Sequence, residues 1–165
     1  MKKRVDLPEK KYEGYIFDLD GTLVDSMPLH YRAWREALAR AGAPDHVFRA
    51  DEFYSCGGKS ANDVVRFLNE RYGMHMDAAS TAADKRRIYL EMLEKEGMQP
   101  IREVVEFVHS LGDAPKAIAT GSAMPGASRT LAAAGLSGLF DVILTPDEVE
   151  HGKPAPDMFL KAAEL

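Results

Sequence analysis

Three short apolar runs, each closed by polar or turn-forming residues, punctuate this chain: Gly14-Tyr15-Ile16-Phe17-Asp18, Ala117-Ile118-Ala119-Thr120 and Val142-Ile143-Leu144-Thr145. Runs of that length without polar alternation predict strands buried on both faces. Between the second and third, Pro125 to Ala134 is expected to be a helix, with Pro125 in its first turn and Gly135 just past its end. A further helix from near Ile101 to Leu111 precedes the second run and stops at Gly112. Strands alternating with helices predict a parallel, Rossmann-like α/β sheet. In such sheets ligands gather outside the carboxyl ends of the strands, which brings Asp18 and Thr120 to one crevice.

The stretch from Pro28 to Gly97 changes period. His30, Ala33, Trp34, Ala37, Leu38 and Ala41 recur at helical spacing, with Gly42 after them. Ser60-x-x-Asp63 has the form of a capping box for a helix carrying Val64, Val65 and Leu68, closed by Gly73. Lys85, Tyr89, Met92 and Glu96 share a face of a third helix before Gly97, while Asp77 to Ala83 reads only as alanine-rich. The expected organisation is therefore a discontinuous core, residues 1–27 and 98–165, with an all-helical cap, 28–97, inserted after the first strand.

Composition narrows the setting. The 165 residues are 45% apolar and 28% charged, a globular balance, and 21 basic against 26 acidic residues leave a net charge of −5. Scattered basic residues on a mildly acidic chain argue against a nucleic-acid surface. No apolar run approaches the roughly 20 residues of a membrane span. Met1-Lys2-Lys3-Arg4 is followed by Val5-Asp6-Leu7-Pro8-Glu9, where a signal peptide needs an apolar stretch. The single cysteine, Cys56, permits no intrachain disulfide, so a cytoplasmic protein is expected. No pattern in the sequence fixes an oligomeric state.

Three turns carry candidate chemistry. Asp18-Leu19-Asp20-Gly21-Thr22 follows the first strand, and two carboxylates one residue apart there suit a hard cation such as Mg²⁺. Gly21 lets the backbone approach an anion, to which the amides of Gly21 and Thr22 can donate. Thr120-Gly121-Ser122 supplies a hydroxyl and glycine-exposed amides before a helix. In Gly152-Lys153-Pro154-Ala155-Pro156-Asp157 a lysine of restricted freedom can neutralise phosphate and orient Asp18. Taken singly, each also has an ordinary reading: an acidic turn, a common Thr-Gly-Ser turn, a surface lysine.

Together and in this order, the three turns and the helical insert resemble the haloacid dehalogenase superfamily, in its branch of β-phosphoglucomutases and sugar-phosphate phosphatases with a helical cap. The resemblance runs from Tyr15 to Leu165. It implies Asp18 as the nucleophile that forms an aspartyl-phosphate and Asp20 as the general acid, then base. Asp18 and the main-chain carbonyl of Asp20 would ligate Mg²⁺, and Thr120, Gly121 and Lys153 would join Gly21 and Thr22 around the phosphoryl group. An aspartate at 20 points to a phosphatase or mutase, since dehalogenases lack this second acid. In the cap, His30 sits at the amino end of the apolar face, from which it can point toward the crevice and touch a sugar hydroxyl or Asp20, and Lys85 matches a cap lysine that reaches sugar or phosphate oxygens. Gly57 and Lys59, within Cys56-Gly57-Gly58-Lys59-Ser60, fall in the cap's specificity loop, where Cys56 itself is expected to be packed.

Mutases of this branch commonly place an arginine in that loop; Ser60 stands at the matching position, beside Lys59. That favours hydrolysis of a small phosphorylated sugar over a β-phosphoglucomutase-type reaction, with a noncatalytic binding module as the third alternative. The family's acidic fourth motif and two more strands are not found before Leu165. The parent protein is therefore expected to run to roughly 210–230 residues, and these residues alone to show little activity. A shortened chain stabilised by a partner or by swapping is the alternative. Without those strands the one bearing Asp18 would be an exposed edge.

Overall fold

A computed structural model describes residues 12–165; the basic amino end read above lies outside the described residues. The chain opens with β1 (Tyr15–Phe17) and runs through four helices, α1 (Met27–Arg40), α2 (Ala50–Ser55), α3 (Ala61–Tyr72) and α4 (Ala78–Glu96). It continues through α5 (Arg102–Ser110), β2 (Lys116–Ala119), α6 (Met124–Ala133), β3 (Val142–Leu144) and α7 (Asp157–Glu164). The strands form one parallel sheet in the order β1-β2-β3, with Phe17 opposite Ile118 and Ile118 opposite Ile143. All three strands therefore end at one edge, where Asp18, Thr120 and Thr145 follow them. Among the described residues β1 is an outer strand, as the sequence led us to expect for a sheet of these three strands.

Two apolar clusters organise the packing. Phe17, Leu19, Leu23, Ile118 and Leu131 of the sheet region bury against Ala33 of α1 and Ile88, Tyr89 and Leu93 of α4. Trp34 and Leu38, on another side of α1, bury with Val47, Phe48, Phe53, Val65 and Leu68. α1 thus serves both clusters: alanines at 33 and 37 let α4 and the sheet region approach, and Trp34 and Leu38 fill the helical insert. At the other face of the sheet, Ala162 of α7 packs on Ala117 and Leu144.

Two helices depart from the expectation. α2 went unread because six residues, Ala-Asp-Glu-Phe-Tyr-Ser, bury only Phe53 and show no periodicity. α4 begins at Ala78, earlier than its apolar stripe, because Asp77 caps it by accepting from the Ser80 amide at 2.7 Å. The Ser60 cap forms, with its hydroxyl oxygen accepting from the Asp63 amide at 3.2 Å. The second half of the box differs: the Ser60 hydroxyl donates to the Asp63 carboxylate at 2.6 Å, an aspartate being shorter than the usual Glu or Gln.

Candidate active site

Asp18 and Asp20 sit on the tight turn that leaves β1. Gly21 turns at φ +77, and its amide donates to the Val24 carbonyl at 2.9 Å. The Thr22 amide donates to the Leu19 carbonyl at 3.3 Å. Here the geometry departs from the expected phosphate contacts, because both amides are used to close the turn that presents the aspartates.

The two carboxylates have different surroundings. Asp18 keeps 32% of its side chain exposed, and its Oδ1 accepts from the Leu19 amide at 2.9 Å and pairs with Lys153 Nζ at 3.1 Å. Lys153 is aimed by a second bond, donated to the Ala119 carbonyl at the end of β2 at 2.8 Å. Asp20 is only 16% exposed and is fully engaged. Its Oδ1 accepts from the Ser26 hydroxyl at 2.6 Å and from His30 Nε2 at 2.9 Å, and its Oδ2 from the Ser122 hydroxyl at 2.7 Å.

The protonation pattern follows from donors and acceptors. Lys85 Nζ lies 2.7 Å from His30 Nδ1, and an ammonium can only donate, so Nδ1 is the acceptor and Nε2 carries the proton given to Asp20. Burial, then the neighbouring Lys85 charge, lower the affinity of His30 for a second proton, against the pull of Asp20. His30 also stacks flat on Tyr89, centroids 4.0 Å apart, and the Tyr89 hydroxyl reaches Thr130 at 2.7 Å. Burial alone would raise the Asp20 carboxyl, but the electrostatic pull and hydrogen bond of the His30 N–H, with the hydrogen bonds of Ser26 and Ser122, hold it well below the usual carboxylate range. Burial pushes Lys85 down to about 8, with Asp20 opposing that fall and Arg86 adding to it.

The Lys85 shift has a consequence for stability. Folded and unfolded chains both hold this proton below about pH 8; above it the folded chain releases the proton first, and the unfolded chain only near 10.5. Stability should therefore rise with pH across that window, by at most about 3 kcal/mol at 1.4 kcal/mol per unit. We expect urea midpoints of the wild type to climb from pH 8 to 10 relative to Lys85→Met, and parallel curves would refute this.

A cavity of about 290 Å³ opens above the aspartates, between the sheet edge and the helical insert. Its wall includes Asp18, Asp20, His30, Trp34, Lys59 and Lys85. The loop of Gly57 and Gly58 also lines it and descends onto the Thr120 turn. There the backbone contact is direct: a Cβ built on Gly121 would stand 2.8 Å from the Gly58 carbonyl carbon and closer still to its oxygen. Phe48, at φ 60 and fully buried, is held on the wall between the rings of Trp34 and Phe53.

Of the residues expected around a phosphoryl group, Lys153 meets Asp18 and Gly121 lines the cavity, whereas Thr120 is wholly buried and its hydroxyl oxygen accepts from the Ser122 amide at 3.1 Å. Among the cap residues, His30 reaches Asp20, and Lys85 reaches it only through His30. Lys59 lies with its ammonium 4.7 Å from the centre of the Phe67 ring. Cys56 is packed, and burial raises its thiol, so it is poorly nucleophilic. Ser26 and Ser122, which the sequence reading gave no task, are the hydroxyls that hold Asp20.

The described residues contain no group of three His, Cys, Asp or Glu placed for a metal. Mg²⁺, however, takes one or two carboxylates, substrate phosphate and retained waters. An oxygen of the partly exposed Asp18 beside the Asp20 main chain fits such a site, whereas the Asp20 carboxylate is spent on its hydrogen bonds.

The family model for haloacid dehalogenase-like hydrolases matches residues 12–165, nearly the whole chain. This chain belongs to that family. It is 33% identical over 156 residues to fructose-1-phosphate phosphatase YqaB of Escherichia coli (strain K12), covering 94% of this chain and 80% of that protein. It is 32% identical over 185 residues to β-phosphoglucomutase of Mycobacterium bovis, covering 96% of this chain and 70% of that protein. Among solved structures, a hydrolase from Pseudomonas syringae superposes with a TM-score of 0.80 at 31% identity, over 92% of this chain and 69% of that one. Relatives of this hydrolase thus include sugar phosphatases and phosphomutases. No helix among the described residues is long and apolar enough to cross a membrane.

Proposed function

We propose that this hydrolase is a cytoplasmic, Mg²⁺-dependent phosphatase of small phosphorylated sugars that works through an aspartyl-phosphate on Asp18. The observation that carries the reading is the meeting of Asp18 with Lys153 at 3.1 Å, on a cavity whose wall also holds Asp20. Phosphoryl transfer asks mainly for positioning and charge neutralisation, and a carboxylate beside a tethered ammonium supplies both. Asp18 and the Asp20 main-chain carbonyl would hold Mg²⁺, which when bound adds positive charge beside the transferring group.

Oδ1 of Asp18 is occupied, so Oδ2 attacks phosphorus as the bond from phosphorus to the sugar oxygen breaks. The leaving oxygen takes a proton from Asp20, which receives it from His30 Nε2 while Nδ1 draws one from Lys85. Asp20 then accepts a proton from water as the water oxygen attacks phosphorus, that proton returns through His30 to Lys85, and inorganic phosphate leaves Asp18 free. Ser122 must yield Oδ2 of Asp20 to the reacting oxygens.

A phosphosugar mutase is the second reading, favoured by the β-phosphoglucomutase relative. Against it, Ser60 is bonded to Asp63 and Lys59 lies over Phe67, so the loop offers no planar fork for a second phosphate.

Beryllium fluoride with Mg²⁺ should form an adduct at Asp18, visible by fluorine NMR in the wild type and absent in Asp18→Asn. Phosphate release from fructose 1-phosphate should need Mg²⁺ and stop in EDTA. With Asp18 as the one ionised ligand side chain proposed among the described residues, that release is expected to be slow. Neither adduct nor phosphate would leave the noncatalytic module standing, and isomerisation primed by catalytic amounts of sugar bisphosphate would establish the mutase.

A further inference from the structure

The described arginines mostly face carboxylates, as Arg32 faces Glu96, Arg71 faces Glu52 and Arg102 faces Glu106. Arg49, Arg86 and Arg129 are the exceptions, with no hydrogen bond or ion pair among the described residues. Arg86 and Arg129 meet at one place. Both line a shallow depression of about 340 Å³ on the seam between α4 and α6, outside the cavity that holds Asp18. α4 contributes Arg86, Arg87 and Leu90 to its wall, and α6 contributes Arg129. The next residues in sequence, Tyr89 and Thr130, join the same two helices by a buried hydrogen bond at 2.7 Å. The seam is therefore a fixed junction between the helical insert and the sheet region.

Neither helix can neutralise its own arginine. Three and four positions from Arg86 stand Ala82, Ala83, Tyr89 and Leu90, and from Arg129 stand Pro125, Gly126, Ala132 and Ala133. Two glutamates share the wall. Glu91 is committed to Arg87 at 2.8 Å. Glu94 lies two helical turns from Arg86, about 12 Å along the axis, and pairs with neither arginine. A chain of net charge −5 has acids to spare, yet gives neither of these two cations a partner.

We propose that the α4–α6 seam is a binding site for a small polyanion, a molecule carrying phosphate or several carboxylates, separate from the cavity at Asp18. Guanidiniums from two helices grip its charged groups in planar forks, and the partly buried Leu90 gives a short carbon skeleton an apolar surface. The occupied site ties α4 to α6 from outside, as the Tyr89–Thr130 bond does from within. None of this depends on the phosphatase reading.

Arg86 also stands on the wall of the cavity above the aspartates, whereas Arg129 does not, so Arg129 is the residue to change. Pyrophosphate and citrate are titrated calorimetrically into the protein at low salt without Mg²⁺. At least one should bind saturably and raise the melting temperature, and the responder tells phosphate from carboxylate recognition. Arg129→Gln should weaken that binding at least about tenfold and remove the thermal shift. Melting in buffer alone should not change, since the Arg129 side chain is exposed and unbonded. Lys153→Gln, at the Asp18 cavity, should alter the binding by less than about twofold. Binding of neither anion, binding that survives Arg129→Gln, or binding that Lys153→Gln abolishes overturns the proposal.

Discussion

Asp20→Asn should cut phosphate release by about 10²–10⁴, the usual worth of a placed acid–base group, and leave the fold intact. Asparagine keeps the shape of aspartate and much of its bonding. Its amide oxygen can still accept from Ser26 and His30, and its amide nitrogen can donate to the Ser122 hydroxyl, which then turns to accept. What is lost is the ability to give and take a proton. The negative charge that faces Lys85 through His30 is lost too, so the buried ammonium is left uncompensated. The double variant Asp20→Asn with Lys85→Met should recover stability without recovering activity. Circular dichroism and thermal melting alongside long-time phosphate assays make the comparison. Near-normal turnover in Asp20→Asn would refute the assigned role.

Gly121→Ala should lower turnover and sugar-phosphate binding by roughly 10²-fold. The obstacle is main chain on main chain. The new methyl would press on the Gly58 carbonyl and would also stand 3.2 Å from the Lys59 carbonyl oxygen. No rotamer change relieves that, so the Gly57–Gly58 loop must retreat from the Thr120 turn by on the order of 1 Å, a misplacement that suffices for such a loss. The core packing of α6 is untouched, so stability should fall by no more than about 1–3 kcal/mol, the range for overpacking. A Gly58 carbonyl that stays in place in the variant, with unchanged binding, would show that the contact is incidental.

Much of this architecture was readable because it rests on local rules. Apolar runs ending in Asp18, Thr120 and Thr145 announced the three strands, although Tyr15 and Ile16 of β1 and Val142 and Ile143 of β3 are only partly buried, and Gly112 and Gly135 marked where helices stop. The candidate site was readable as far as its parts lie in contiguous turns: Asp18 with Asp20, and Lys153 between a glycine and two prolines. The helix around Phe53 was not, since one buried residue in six leaves no period to find. The holding of Asp20 was equally hidden. Ser26 and Ser122 are ordinary hydroxyls in sequence, and Ser122 lies 102 residues from the carboxylate it serves. The amides of Gly21 and Thr22 were expected to face a ligand because glycine permits close approach. Closing a tight turn uses the same freedom, and here the turn takes the amides first.

Lys153 has three N–H groups, and the resting molecule spends one on the Ala119 carbonyl and another toward Asp18. A single N–H remains for an incoming oxygen, and its direction is dictated by the other two. The side chain is anchored to the last residue of a sheet strand and not to its own proline-flanked loop. Wandering of that loop therefore need not spoil the lysine's aim, and the rotational freedom such a long side chain ordinarily surrenders on capturing a ligand has already been given up during folding.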